Sequence, residues 1–422
     1  MSDRKKPSRR EFLKAGTASA AGLALAGGLN IARAAHAAGG DALKIALIGC
    51  GGRGTGAVAN CFEAVANVKL IAVADAFADT AQSCLVNLRR DPKLAAKVDV
   101  PEERVFVGLD AYQKAIAAGP DIVLLTTPPG FRPIHYAAAV AAGKHVFMEK
   151  PCCIDAPGFR SLMKSNKLAD EKNLKVAVGL QRRRSKDYCP KVQAIHDGAI
   201  GDLTFLRSYW NGGQPWVRKR KPEQTEMEFQ IRNWYHFVWL SGDHICEHHV
   251  HSLDVCNWVL GGHPLTANGM GSCHCRDNHG ISQIYDNHTV EFTYKDGMKV
   301  FSQCRQQPNT WQIVNQIVHG TKGIVEMPSW AGDGMTREHA DLAGAIRNGE
   351  KLNDGWYGAT SSFTAVLGRM ATYSGQVVTW DDAVARGPDE MPKRIAFDAD
   401  PPAMPDKEGN YPMAVPGLYK PY

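Results

Sequence analysis

Short apolar runs alternate with longer stretches of helical periodicity from about residue 42 to residue 180. The apolar runs predict strands at Leu43–Ile48, Val68–Ala74, Val105–Val107, Asp121–Thr126, His145–Met148 and Leu174–Val178. Stretches between them with helical spacing predict helices at Gly54–Ala66, Ile134–Ala142 and Phe159–Lys172. Because strands that alternate with helices form parallel βαβ units, we predict a doubly wound α/β domain over residues 40–180.

The pattern changes after Gln181, where strand-like segments follow one another with turns between them. They lie at Leu203–Tyr209, Asn287–Tyr294, Lys299–Cys304 and Gln312–His319, with helices at His249–Leu260, Arg337–Asn348 and Trp356–Ser374. This order predicts an α+β domain with a mostly antiparallel sheet over residues 181–385. Eight prolines in residues 386–422 leave no room for a regular helix, so we predict an extended tail there.

The net charge is concentrated at the start of the chain. Residues 1–37 carry seven Lys or Arg and two acidic residues, which accounts for +5 of the total charge of +6. The rest of the chain has no basic excess, so nucleic acid is not an expected partner. A composition of 44% hydrophobic and 22% charged residues is typical of a globular protein, and we expect no membrane span in the mature chain.

Residues 1–37 have the pattern of an export signal. A basic segment with the pair Arg9-Arg10 precedes a weakly apolar run rich in alanine and glycine, and small residues near Ala35–Ala37 supply cleavage sites. The paired arginines followed by Phe-Leu-Lys resemble a twin-arginine signal. We therefore expect a periplasmic or otherwise exported protein. An amphipathic surface helix is the alternative, although the Ala/Gly run has no polar face.

A glycine-rich turn follows the first predicted strand and opens the first helix. Its pattern is GxGxxG over residues 49–54, and Asp75 ends the next strand 21 residues later. This is the context of a dinucleotide site, in which glycines admit the diphosphate and the acid binds the ribose. No Lys or Arg directly follows Asp75, which favours NAD over NADP. The residues predicted to bind NAD here are Gly49, Gly51, Gly52, Arg53, Gly54 and Asp75.

Three further segments resemble the Gfo/Idh/MocA oxidoreductase family. They are Thr126–Pro129 with His135, Ala142–Pro151 with its Glu-Lys-Pro ending, and the histidine-rich stretch Ser241–Asp254. The resemblance covers roughly residues 43–385 and implies a Rossmann domain followed by an open-sheet domain. It also implies that the cofactor site includes Thr127, Pro128, His135, Glu149 and Lys150.

Lys150 is the first candidate catalytic residue. A lysine at the carboxyl end of a parallel strand points into the crevice where ligands bind, and there it can stabilise negative charge on a substrate oxygen. In the family, a helix carries Asp-x-Gly-x-His-x-x-Asp. Here Glu247 replaces the first acid and His249 the glycine, while His251 and Asp254 match. On one helix Glu247, His251 and Asp254 share a face, so His251 fits a general base that Glu247 orients.

The histidine-rich stretch also contains His244-x-x-Glu247-His248, the HxxEH spacing of inverted zinc peptidases. A zinc hydrolase is therefore an alternative, but it would leave the dinucleotide motif without a role. Hydrogen bonding in the core is the simpler interpretation of any one of these histidines. We assign no metal site.

Aromatic and arginine residues after the sixth strand point to a carbohydrate or polyol substrate. Aromatic faces stack on sugar rings, and arginines bind hydroxyls or carboxylates. Arg183, Tyr235 and Trp239 are the predicted substrate contacts.

An exported enzyme has no free NAD pool, so we expect the cofactor to load before export and to be recycled within the catalytic cycle. The family includes sugar oxidoreductases of this kind and redox-neutral NAD-dependent glycoside hydrolases, and both activities stay open. A non-catalytic NAD-binding protein is a further alternative. The open sheet face implied by the family suggests a homo-oligomer.

Overall fold

The computed structural model describes residues 42–274 and 281–422. The predicted export signal over residues 1–37 lies outside the described residues. Across these two described ranges, no helix combines the length and the apolar character that crossing a membrane requires.

The first domain is built on a six-stranded parallel sheet. In chain order its strands are β1 (Leu43–Ile48), β2 (Val68–Asp75), β3 (Val105–Val107), β4 (Ile122–Leu125), β5 (His145–Met148) and β6 (Val176–Val178). The spatial order β3-β2-β1-β4-β5-β6 is that of a dinucleotide-binding doubly wound fold. β1 lies at the centre because nearly all of its residues are apolar and buried, which suits a strand covered on both faces.

Helices cover both faces of this sheet. They are α1 (Gly52–Ala64), α2 (Ala78–Arg90), α3 (Pro92–Ala95), α4 (Ala111–Ala117), α5 (Arg132–Ala141) and α6 (Ala156–Glu171). The predicted doubly wound architecture is therefore confirmed. The sequence pattern did not identify α2 or α4, and it placed the start of α6 three residues late.

The second domain contains a seven-stranded sheet and further helices. Its elements are α7 (Cys189–His196), β7 (Leu203–Gly212), α8 (Glu226–Arg232), α9 (Val238–Ser241), α10 (His244–Glu247), α11 (Val250–Leu260), β8 (Thr266–Ser272), β9 (Asn287–Thr293), β10 (Lys299–Gln306), β11 (Ile313–Gly320), β12 (Gly323–Glu326), α12 (Gly334–Asn348), α13 (Gly355–Ser374), β13 (Val378–Thr379) and α14 (Trp380–Arg386). Short 3-10 turns occur at Glu102–Arg104, Pro129–Phe131, Gln181–Arg184, Trp234–His236 and Lys295–Gly297.

The second sheet has the order β12-β11-β7-β10-β9-β8-β13, and only β7 and β10 in it pair in parallel among the described strands. Its inner face packs on α11 and α13, where Phe292, Val300 and Phe363 belong to one buried cluster. The opposite face is open and exposes Phe301, Met270 and Ile324. The mostly antiparallel second sheet is thus confirmed.

The helix that follows the second sheet returns to the first domain. Leu342, Ala343 and Ile346 of α12 lie in the same buried cluster as Val58 and Phe62 of α1. This return brings α12 to the rim of the first sheet, although its sequence position follows the second sheet. From residue 387 onward the described chain has no helix or strand, yet its Ala403 and Tyr411 are buried against α8 and the segment after it.

Candidate functional site

A cavity of about 810 Å³ opens at the carboxyl ends of the first sheet and is lined by residues of both domains. This is where ligands bind in doubly wound folds. The structure brings every residue predicted to bind NAD to its wall: Gly49, Gly51, Gly52, Arg53, Gly54, Asp75, Thr127, Pro128, His135, Glu149 and Lys150. Of the predicted catalytic residues, Lys150, Glu247 and His251 line it as well.

Two glycines shape the turn between β1 and α1. Gly49 has φ of +97°, and a Cβ there would lie 2.5 Å from the backbone nitrogen of Thr127. A Cβ on Gly54 would lie 2.0 Å from the carbonyl oxygen of Gly49, so only glycine lets α1 start this close to the strand.

The start of α1 faces the cavity without a side-chain cap. Gly51 precedes the helix and supplies no capping group, and the first turn contains no acidic side chain. A Cβ at Gly51 or Gly52 would meet nothing within 4 Å. Free backbone N–H groups beside open space form an anion site at the positive end of the helix dipole, which fits the diphosphate of NAD.

Asp75 at the end of β2 ties the glycine-rich turn to the sheet. One of its carboxylate oxygens accepts a hydrogen bond from the Cys50 N–H at 2.7 Å, and the other accepts one from the Phe77 N–H at 3.0 Å. Each oxygen keeps a second lone pair for a ribose hydroxyl. The nearby Arg232 guanidinium is paired with Asp79 at 3.1 Å and with Glu228 at 3.0 Å, so it is not free for a 2′-phosphate. The residues present therefore fit NAD.

His135 supports the loop after β4. Its Nδ1 lies 3.2 Å from the Thr127 hydroxyl, and its ring stacks on Tyr112 at 4.2 Å. Burial, assisted by the Arg132 charge, lowers the pKa of His135 to about 3. The ring is therefore neutral and forms part of the cavity wall.

Lys150 lies at the end of β5 and reaches α10 of the second domain. Its ammonium donates to the Glu247 carboxylate at 2.7 Å and to the Glu247 carbonyl oxygen at 2.6 Å. The peptide bond between Lys150 and Pro151 is cis. The preceding Glu149 accepts from Arg53 at 2.6 Å. Lys150 therefore keeps a third N–H for a ligand in the cavity.

A chain of hydrogen bonds fixes the other side of Glu247. His248 Nε2 lies 3.2 Å from the second Glu247 carboxylate oxygen, and His248 Nδ1 lies 2.8 Å from the Tyr235 hydroxyl. Gln306 also donates to that hydroxyl, at 2.7 Å. Because a carboxylate only accepts, the proton of the neutral His248 ring is on Nε2, which donates to Glu247, and Nδ1 is the acceptor. Burial acts to raise the pKa of the Glu247 carboxyl, but Lys150 and His248 outweigh it, so Glu247 is an anion.

His251 lies in the first turn of α11 and lines the cavity. Burial, assisted by the Lys150 charge, lowers the pKa of His251 well below its usual value, so the imidazole is neutral and keeps a lone pair on one ring nitrogen. Trp210 of β7 stacks on His251 at 5.7 Å and on His248 at 5.3 Å. The indole therefore sets the orientation of both rings.

The structure corrects the expectation that one helix places Glu247, His251 and Asp254 together. The segment is divided into α10 and α11, and Glu247 binds Lys150 and His248. Asp254 lies one turn deeper than His251, fully buried, where Arg183 and the Ser361 hydroxyl bond its carboxylate. Asp254 is not among the cavity residues.

The three predicted substrate contacts do not line the cavity and are bonded elsewhere. Arg183 is held by Asp254 at 2.8 Å and lies over the Tyr357 ring, away from the cavity wall. Trp239 is buried, and its indole N–H donates to Gln230 at 2.8 Å. Tyr235 is buried too, and it reaches the site through His248. Aromatic and cationic residues of the second domain that do line the cavity include Trp216, Trp234, Arg218 and Arg232.

The HxxEH residues do not converge on one point. His248 faces Glu247 and the cavity, whereas His244 Nδ1 lies 2.9 Å from the Asp243 carboxylate in the core. Asp243, His244 and His288 form a buried cluster with the donor types of a metal site. Asp243 already accepts from the Tyr373 hydroxyl at 2.6 Å and the Tyr285 N–H at 3.0 Å. This cluster is a hydrogen-bonded core element at the start of α10.

Sequence reasoning missed His248 as a contributor, and it missed Trp210 and Glu338. In the sequence, His248 stands out only as part of the HxxEH alternative, and Trp210 only as one of the aromatic residues that follow the sixth strand. Glu338 of α12 lines the cavity although it follows the second sheet in sequence. No local signal indicates that α12 returns to the first domain.

Comparisons with known proteins agree with this architecture. Residues 43–180 match the family model described as "Oxidoreductase family, NAD-binding Rossmann fold". Residues 192–326 match the "GFO/IDH/MocA C-terminal domain". Together these matches span most of the chain.

Similar proteins of known sequence include an inositol 2-dehydrogenase of Klebsiella pneumoniae, 26% identical over 312 residues, or 72% of this chain and 79% of that protein. An inositol 2-dehydrogenase of Rhizobium meliloti is 25% identical over 70% of this chain and 81% of its own length. Among solved structures, scyllo-inositol dehydrogenase from Lactobacillus casei with bound NAD(H) and scyllo-inositol has a TM-score of 0.63. It is 18% identical, covering 80% of this chain and 99% of that one.

The family matches cover both domains, and the cavity at their junction has the residues that NAD requires. The chain belongs to the Gfo/Idh/MocA family and is an NAD-dependent oxidoreductase.

Proposed function

We propose that this protein oxidises a secondary hydroxyl of a polyol or sugar. The observation that carries the proposal is that the Lys150 ammonium and the neutral His251 imidazole line the same cavity as the glycine-rich turn and Asp75. Relatives named inositol 2-dehydrogenases support a polyol substrate.

The side chains divide the proton chemistry between them. Lys150 donates its free N–H to the substrate oxygen and stabilises the charge that develops there, while Glu247 holds the ammonium in place. His251 takes the hydroxyl proton, and Trp210 holds its ring. When bound, NAD supplies the hydride acceptor. Because His248 is bonded on both ring nitrogens, it orients Glu247 and does not itself serve as the base.

A substrate screen tests this proposal. Purified protein is supplied with NAD and with inositols, free sugars and aryl glycosides, and both reduced nicotinamide and released aryl alcohol are measured. Accumulation of NADH with a polyol or sugar is the expected result. Release of the aryl alcohol without NADH would identify the redox-neutral hydrolase instead. Absence of both, in protein that binds NAD, would overturn the proposed oxidation.

We also propose that NAD stays bound through the catalytic cycle. Arg232 of the second domain spans the adenosine end of the cavity: its guanidinium pairs with Asp79 and lies 3.7 Å from the centre of the Phe77 ring. Phe77 in turn packs on Phe397 of the tail. Release of the nucleotide must separate these contacts, which favours a slow exchange.

Replacing Arg232 with alanine should therefore raise the dissociation rate of NAD by roughly 5- to 50-fold, from the loss of one ion pair and one cation–π contact. Displacement of bound NADH by excess NAD, followed by fluorescence, measures this rate. Glu228→Ala is the matched control, because it removes the other carboxylate partner of Arg232 but keeps the contacts with Asp79 and Phe77. Equal rates in R232A and wild type would exclude Arg232 as a barrier to release.

We propose, further, that the protein is exported by the twin-arginine pathway with NAD already bound. The support is the Arg9-Arg10 pattern and its apolar run. Replacing both arginines with lysine should retain the protein in the cytoplasm, as cell fractionation would show. Unchanged export would contradict the proposal.

The open face of the second sheet is proposed as a homo-oligomer interface. It exposes Phe301 at 44%, Met270 at 78% and Ile324 at 62% of their full areas, an apolar patch of the kind that proteins cover by association. Phe301→Glu should convert the oligomer to monomers in sedimentation analysis. Met413→Glu, at an exposed residue of the tail, is the control. A wild-type monomer would refute this proposal.

A further inference from the structure

Glu338 is a buried carboxyl in the wall of the cavity that the proton chemistry above leaves unused. It lies in the first half of α12 and is 1% exposed. Neither carboxyl oxygen has a hydrogen-bond partner among the described residues. A buried polar group without partners costs free energy, so its presence at a ligand cavity indicates that a ligand completes its hydrogen bonds.

The position of Glu338 defines which part of the ligand it meets. In a sheet of this order the adenosine half of NAD lies over β2, where Asp75 is, and the redox half lies across the switch point between β1 and β4. The ends of β5 and β6 carry Glu149 and Gly179 on the redox side. Gly334, four residues before Glu338 in α12, packs on Gln181, which follows the end of β6: a Cβ at Gly334 would lie 2.2 Å from the carbonyl oxygen of Gln181. Gln181 and Glu338 both line the cavity, so Glu338 belongs to the same side.

Its surroundings make Glu338 a neutral acid. Burial and the Glu149 carboxylate raise its pKa well above the usual range, and the smaller opposing effects of the Arg53 and Arg184 charges do not reverse this. Arg53 is already bonded to Glu149, and Arg184 to Asp354. A neutral carboxylic acid offers one O–H donor and one carbonyl acceptor side by side.

We propose that Glu338 is the positioning residue for the nicotinamide carboxamide. A primary carboxamide offers one carbonyl acceptor and N–H donors, which is the complement of a neutral carboxylic acid. The Glu338 O–H donates to the carboxamide oxygen, and the Glu338 carbonyl oxygen accepts from a carboxamide N–H. The pair fixes the rotation of the nicotinamide ring relative to Lys150 and His251. This inference rests on NAD binding alone and does not depend on the identity of the substrate.

Binding measurements on cofactor fragments test the assignment without turnover. The affinities of NADH and ADP-ribose are compared by calorimetry for wild type, Glu338→Gln and Glu338→Leu, after bound nucleotide has been removed. Glutamine also offers a donor and an acceptor, so E338Q should bind NADH within about threefold of wild type. E338L, with no polar group, should bind NADH roughly 10- to 100-fold more weakly. Both variants should bind ADP-ribose, which lacks the nicotinamide, as wild type does.

A second measurement uses wild type and so does not depend on the leucine variant folding. The 3-acetylpyridine analogue of NADH keeps the carbonyl oxygen but lacks the amide N–H. Wild type should bind this analogue roughly 5- to 30-fold more weakly than NADH, from the loss of one hydrogen bond in a buried site. Equal affinity of wild type for the two would overturn the proposal. An E338L variant that folds and binds NADH as tightly as wild type, or that loses ADP-ribose equally, would overturn it as well.

Discussion

Replacing Lys150 with methionine should lower kcat/KM by roughly 10²- to 10⁴-fold, the range typical of losing a positioned proton donor or charge stabiliser. Methionine has a similar length but no charge and no N–H. The substrate oxygen then loses its donor, and Glu247 keeps only His248 as a partner. Steady-state kinetics on the substrate found in the screen measure this effect.

NAD binding separates the chemical effect from a structural one. K150M should bind NADH within a few fold of wild type, because the glycine-rich turn and Asp75 hold the diphosphate and ribose. Lys114→Met, which removes a surface ion pair with Asp110, is the control for loss of a lysine charge and should keep full activity. Full activity of K150M would exclude Lys150 from the reaction.

The parallel sheet was predictable because its central strands are buried on both faces. β1 and β5 are short, almost continuous apolar runs, and α1 and α5 between them show helical periodicity. β8 was not predictable, since it reads Thr-Ala-Asn-Gly-Met-Gly-Ser and has no strand former after its first residue. Its glycines are needed for packing: a Cβ at Gly269 would lie 2.5 Å from the Thr289 carbonyl oxygen. Neighbouring strands, and not local preference, determine β8.

In the candidate site, too, some features follow from the local sequence and others depend on contacts between distant residues. Residues at strand ends and in the glycine-rich turn could be placed from the sequence, because the strand order of the sheet fixes where they meet. The hydrogen-bond or ion-pair partner of each polar side chain could not be predicted from the sequence. Glu247 binds Lys150, from 97 residues away, and Arg183 binds Asp254, from 71 residues away. Helical spacing identifies residues on a common face but does not show which of them are already paired in the core.

Two buried histidines make the free energy of unfolding depend on pH in the acid range. Burial, assisted by the Arg132 charge, lowers the pKa of His135 to about 3; burial, assisted by the Arg53 charge, lowers that of His339 to about 3. Their usual value in an unfolded chain is about 6.5. Below that pH the unfolded state binds a proton at each histidine and the folded state does not. Each histidine therefore lowers the free energy of unfolding as pH falls. The loss continues until about pH 3, where the folded protein takes up these protons.

The double variant His135→Gln and His339→Gln should therefore gain stability relative to wild type as pH falls from 6.5 to 4.5. Each histidine contributes about 1.4 kcal/mol per pH unit, so the difference should grow by about 5 kcal/mol over this range. Comparing the variant with wild type cancels the opposing effect of acids such as Asp155, whose pKa burial raises to about 6. Urea unfolding at several pH values measures the difference.

Phe147→Leu, which disturbs the ring packed on His339 without removing an ionisable group, should shift stability by the same amount at each pH. A difference between the double variant and wild type that does not change with pH would show that the two imidazoles take up protons at the same pH in the folded and the unfolded protein.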